Sequence, residues 1–184
     1  MPLDFRFMEE PDDVPVLDLP YVEEQRDGRT NAGFVDLRGC SDLVARIEEA
    51  SNSPALRCLL VRLAQTGSTV FSIGCDRGAI PLPNSQGRFE AGGYVQVVLS
   101  DMNGGALDKR RTVMVASQLH SHLDGEVGSR LWAMQTILTV VGLRKLGGPD
   151  QAWSLVFRFW AFGKTHEEAW QSSEELLRAM ARCW

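Results

Sequence analysis

Long apolar runs are missing from this sequence: the longest, such as residues 137–143, fall well short of the roughly 18 residues a membrane-spanning helix needs, so no span is expected. Histidine is scarce, at three residues, and the four cysteines, Cys40, Cys58, Cys75 and Cys183, stand far apart with no C-x-x-C pair. That spacing argues against cysteine-held zinc and for reduced thiols rather than bridges. The opening Met-Pro-Leu-Asp lacks the basic-then-apolar order of a signal peptide, and the expected location is the cytoplasm. Basic charge is not in surplus either, with 19 Lys and Arg against 24 Asp and Glu for a net of −5. The imbalance is local, because residues 1–33 hold nine acids against three arginines, a net of −6, and leave the remainder at +1. A near-neutral body with one acidic arm lacks the electrostatic footprint of a nucleic-acid binder.

What is present is the composition of an ordinary globular chain, 44% hydrophobic and 23% charged over 184 residues, which supports one domain with a sizeable core. Residues 1–28, broken by Pro11, Pro15 and Pro20, read as an acidic extended arm with an edge strand around 14–19, and residues 29–184 as a single α/β domain. A helix capped by Ser41 is expected to carry Leu43, Val44, Ile47 and Ala50 and to stop at Asn52-Ser53-Pro54. Residues 56–63, apolar on both faces, read as an interior strand and point to a parallel sheet. Residues 70–75 read as a second strand, whereas 94–102 fit strand and helix spacing equally. The β-branched content of 112–117 predicts a strand, 129–146 a long helix, and 153–162 a buried strand or a very hydrophobic helix. Thr165 then opens the last helix, with Glu168 at capping-box spacing and Arg178 and Arg182 near its negative end.

Three local patterns invite a chemical reading. His120-Ser121-His122-Leu123-Asp124 has metal-site spacing and superficially resembles the H-x-H-x-D-H run of the metallo-β-lactamase family, but Gly125 stands where the next histidine would be and only His166 remains elsewhere; a polar strand end is the expected reading, with no metal. Gly163-Lys164-Thr165 has the order of a phosphate-binding loop without its first glycine, Arg158 occupying that position, so a strand-to-capped-helix junction is expected. Cys75 could pair with His120 as a nucleophile, although a lone cysteine at a strand end is usually small core filler.

Arg29-Thr30-Asn31-Ala32, the helix to Glu49, Pro54-Ala55-Leu56-Arg57-Cys58-Leu59-Leu60-Val61 and Phe71-Ser72-Ile73-Gly74-Cys75-Asp76 follow one another at suggestive spacing. Together they resemble the N-terminal half of the crotonase (enoyl-CoA hydratase/isomerase) superfamily, over about residues 29–80. The resemblance implies an α/β fold of crotonase-like ββα units with a mostly parallel sheet and a C-terminal helix, with 94–102 helical before a strand at 111–116. It also implies an oxyanion hole, two backbone N–H groups that polarise a thioester carbonyl and stabilise the enolate formed at its α-carbon. By position the N–H of Ile73 is the first donor and that of Gly125 or Gly128 the second. Glu126 is the candidate general acid–base, and Gly74 and Asp76 are candidate contacts to the coenzyme A arm. The partner implied is an acyl-CoA or carrier-protein thioester, with no separate cofactor, and self-association is expected because the family is usually trimeric.

Two classes of function follow. The first is a crotonase-type lyase or isomerase acting on an acyl thioester. The second is a non-catalytic accessory or interaction protein, a biosynthetic partner subunit or an immunity-type binder, motivated by the missing G-x-G-G-G stretch, the lack of a second matching glutamate, the acidic arm and five tryptophans. If the amides of Ile73 and of Gly125 or Gly128 converge beside a pocket, the enzyme reading stands; if they do not, the fold serves binding.

Overall fold

The computed structural model describes residues 4–11, 13–26, 29–31, 33–78, 82–83, 87–102, 104–126 and 132–184. Its centre is a seven-stranded sheet. The strands are β1 (Asp4–Glu9), β2 (Leu17–Asp18), β5 (Val70–Arg77), β6 (Leu82–Pro83), β7 (Phe89–Leu99), β8 (Trp132–Gly142) and β9 (Ala152–Gly163), and a separate hairpin is formed by β3 (Glu24–Arg26) and β4 (Arg29–Asn31). The main path runs β1-β8-β9-β7-β5, with β2 on β8 and β6 on β7. Only β1 and β2 lie parallel to their neighbour; β5–β7, β6–β7, β7–β9 and β8–β9 are antiparallel. The acidic segment read as an arm thus contributes two strands to the sheet, both on β8.

Helices α2 (Pro54–Leu63), α3 (Lys109–Glu126) and α4 (His166–Cys183) cover one face of this sheet, while the short α1 (Glu48–Ser51) precedes α2. Alternation along β9 records the asymmetry: Leu155, Phe157, Phe159 and Ala161 are buried against helices, whereas Val156 and Trp160 are half-buried and Arg158 is exposed. Burying one such Leu or Phe contributes about 1.5–3 kcal/mol, so the helix-covered face carries most of the core energy. The opposite face is covered at one end only, where Leu19, Tyr21 and Phe34 pack on Phe71, Val98, Val141 and Ala152.

Several local readings change. The mostly parallel sheet is replaced by a mostly antiparallel one, because β8 and β9 are neighbours joined through residues 143–151 and no buried interior strand exists at 56–63. Those residues lie in helix α2: the Ser53 hydroxyl accepts the Leu56 amide at 3.2 Å, Pro54 takes the first helical position, and Ala55, Leu56, Leu59, Leu60 and Leu63 form the buried stripe. Residues 112–117 belong to α3, started by the Asp108 carboxylate accepting the Arg110 and Arg111 amides at 2.9 and 3.2 Å, with Thr112, Val115, Ala116, Leu119 and Leu123 buried at helical spacing. The helix expected at 129–146 is strand β8 over its described part, where burial alternates from Trp132 to Leu138 and β-branched residues follow. The ambiguous 94–102 segment is mostly the end of β7, not a helix. The expected strand near 70–75 forms, 153–162 takes the strand of its two expected alternatives, and the last helix forms, its Thr165 hydroxyl accepting the Glu168 amide at 3.2 Å.

Candidate functional site

β5 is the terminal strand of the sheet, and its pairing with β7 slips between Ser72 and Gly74, leaving Ile73 as an extra residue. A bulge of this kind bends the strand and re-aims its neighbours. Beside it lies a pocket of about 50 Å³, walled by Ser72, Ile73, Gly74 and Cys75 of β5, by Phe34 and Leu37, by Arg46, Ile47 and Glu49, by Leu60 of α2 and by Tyr21. Segment 33–37 and the 46–49 turn thereby screen the open edge that a terminal strand presents.

Gly74 is the floor. A Cβ there would stand 3.6 Å from the Tyr21 Oη and 3.8 Å from the Tyr94 Oη, so the two phenols converge above it. These are the only two tyrosines in the chain. Tyr21 meets Phe34 edge to face, with centroids 6.0 Å apart. Burial, followed by the fields of Glu49 and Asp76, pushes the Cys75 thiol up to about 12, so it is protonated and unreactive at neutral pH. Burial likewise raises Glu49, aided by Asp76 and Glu48 and opposed by its own amide. Tyr21 is raised by burial, then Cys75 and Glu49, and Tyr94 by burial, then Tyr21, Asp76, Cys75 and Glu49. The site therefore resists negative charge.

Of the residues singled out from sequence, Ile73, Gly74 and Cys75 border this pocket, and Asp76 lies two residues beyond Gly74 along β5, exposed. Gly125 and Glu126 do not border it. Both lie in the last turn of α3, where Gly125 is exposed with nothing near its Cβ position and Glu126 pairs with Arg182 of α4 at 2.7 Å. Gly128 falls outside the described residues. His120 and His122 stand on a helix rather than a strand: His120 meets the Thr136 hydroxyl at 2.7 Å and His122 the Ala179 carbonyl at 3.1 Å. Among the described residues no group of three His, Cys, Asp or Glu is placed to hold a metal. β7 and β9 separate Cys75 on β5 from the His120 partner strand β8. Lys164 and Thr165 form the helix cap, with the Lys164 amide donating to Glu168 Oε2 at 2.8 Å.

Glu49, Tyr21 and Tyr94 were not singled out from sequence. A count shows that the chain has two tyrosines, but nothing in the order of residues says that they meet.

A second concavity, about 300 Å³, lies on the uncovered sheet face and is lined by Arg6, Ala133, Met134, Gln135 and Trp160. Gln135 Nε2 also donates to Met8 Sδ at 2.8 Å. No helix among the described residues is long and apolar enough to cross a membrane. Comparison with family models, with curated proteins and with solved structures found no match to this chain.

Proposed function

We propose that this chain is a non-catalytic binding protein, of the accessory-subunit or immunity type, that presents the uncovered face of its sheet to a macromolecular partner. The observation carrying this reading is the disposition of its hollows. The pocket at the β5 bulge is about 50 Å³, far below the roughly 300–1,000 Å³ of sites that envelop a ligand of cofactor size. The larger concavity, about 300 Å³, rests on a sheet face where Trp160, Arg158, Val156 and Ile137 stay partly or fully exposed. Tryptophan and arginine dominate the energetic centres of interfaces.

A crotonase-type acyl-thioester activity keeps one observation in its favour: the Ile73 bulge opens on a cavity, as an oxyanion donor must. It needs a second amide there; Gly125 at the far end of α3 does not supply one, and Gly128, the other candidate, lies outside the described residues.

Affinity capture from the native cell extract tests the binding reading. A discrete partner should be retained by the wild type and by Gln118→Glu on the exposed side of α3, and lost with Trp160→Glu and Arg158→Glu. Retention unaffected by both face variants, or saturable calorimetric binding and turnover of crotonyl-CoA, overturns it.

A further inference from the structure

We propose that the pocket at the β5 bulge is a receptor for a primary ammonium group, carried by a small amine or by a lysine side chain. The inference is independent of the sheet-face reading, because it concerns a separate cavity.

Size comes first. One water needs roughly 10–15 Å³ of such volume, so about 50 Å³ admits an ammonium head with one or two carbons. Valence comes second. An ammonium has three donors and no acceptor, and the pocket offers the two oxygens of the Glu49 carboxylate and the Tyr21 phenol oxygen, which stands over Gly74. The Tyr21 phenol has no hydrogen-bond partner among the described residues, which leaves it available to a guest. The walls come third: Tyr21 and Phe34 supply aromatic surface, which attracts a cation through its π face. The electrostatics agree, since burial and mutual repulsion shift Glu49, Cys75, Tyr21 and Tyr94 alike toward their protonated forms, and a bound cation relieves that repulsion. Arg46 also lines the pocket, but it is solvent-exposed and its charge is screened.

Amide chemical shifts of the isotopically labelled full chain, at constant ionic strength, read the occupancy. Methylammonium should cause saturable shifts at Glu49, Ile73, Gly74 and Cys75, whereas sodium acetate should cause none. Glu49→Gln should weaken binding about tenfold, as loss of a charge-assisted hydrogen bond does, and Tyr21→Phe a few-fold. Gly74→Ala provides a variant that blocks without removing charge, because its methyl makes ordinary contacts with Tyr21 and Tyr94 and should abolish the shifts while the remaining spectrum is kept. Nα-acetyl-lysine methylamide separates the sources: binding of both probes identifies a lysine side chain as an admissible guest, and binding of methylammonium alone a free small amine. Equal shifts from potassium, stronger shifts from acetate, or no shift from either amine overturns the proposal; the acetate result would instead favour an oxyanion site at Ile73.

Discussion

Removal of the Glu174 side chain should be among the most damaging single changes in the molecule. Its carboxylate accepts the Arg77 Nη2 at 3.0 Å, the Ala55 amide at 2.9 Å and the Ser53 hydroxyl, so it joins β5, α4 and the N-terminus of α2. The pair is sealed, with side-chain exposures of 1% for Arg77 and 7% for Glu174. Arg77 also donates to the Ser173 hydroxyl at 2.8 Å and lies 4.0 Å over the Trp170 ring, but its Nε and Nη1 have no hydrogen-bond partner among the described residues. Burial already holds the Arg77 guanidinium below its usual range, with Glu174 the one influence raising it. Without that carboxylate an uncompensated charge remains in the core, which costs about 3–5 kcal/mol. The uncapped α2 amide contributes to the same loss rather than adding to it in full. Against a total stability of about 5–15 kcal/mol, Glu174→Ala should shift the urea midpoint far down with the slope unchanged. Arg77→Met with Glu174→Met, which removes both charges and keeps volume, should be more stable than Glu174→Ala alone. A cost below about 1 kcal/mol for Glu174→Ala, or a double variant no better than the single one, would refute the reasoning.

Other expectations follow from the same structure. Glu49 has its folded pKa above the unfolded one, so its contribution is fully present at low pH and lost as pH rises; Glu49→Gln should gain stability over wild type between pH 4 and 7, read by urea denaturation, and a constant gap would contradict it. His120 is shifted the opposite way by burial, so its contribution is present above its unfolded value near 6.5 and lost as pH falls; His120→Gln should flatten the acid side of the stability profile. Iodoacetamide at pH 8 should label exposed Cys40 and Cys58 well before Cys75, whose thiol is pushed up to about 12; mass spectrometry showing Cys75 labelled first would contradict the burial argument. Leu59→Ala, at a fully buried position on α2, should cost about 2–5 kcal/mol by the same denaturation assay.

The elements legible in the sequence are those whose signals are local. Thr165 with Glu168 marks the start of α4, and the β-rich run at 70–75 marks β5, because a cap and a short strand bounded by turn residues are written within a few residues, whereas 153–162, apolar on both faces, left strand and helix open. The elements that inverted are those where one composition satisfies two periods. In β8, Met134, Leu138 and Val141 make a helical stripe on paper, yet Met134, Thr136 and Leu138 alternate in burial with Gln135 and Ile137. In α3 the β-branched Thr112, Val113 and Val115 suggested a strand, and the Asp108 cap with buried Ala116, Leu119 and Leu123 decided for helix. In α2, Ser53-Pro54 read as a stop but functions as a start, and that single exchange removes the interior strand on which the parallel sheet rested.

The bulge at Ile73 explains why the site was only half visible. Strict alternation from Val70 would put Arg77 on the face of Phe71, away from the helices and from Glu174. The extra residue breaks the count: Ser72 lies opposite Val97, but Cys75 lies opposite Val95 and Arg77 opposite Gly93, so all three share the helix-covered side while Phe71, Gly74 and Asp76 lie opposite Val98, Gln96 and Tyr94. Gly93 is required by the same register, since a Cβ there would strike the Asp76 carbonyl. One inserted residue therefore sends Arg77 inward to lock α4 and α2, and at the same turn presents Gly74 to the two tyrosines. The Phe-Ser-Ile-Gly segment could be found from its residues, but its consequences depend on a slip in pairing between strands about twenty residues apart in sequence, and no local pattern encodes such a slip.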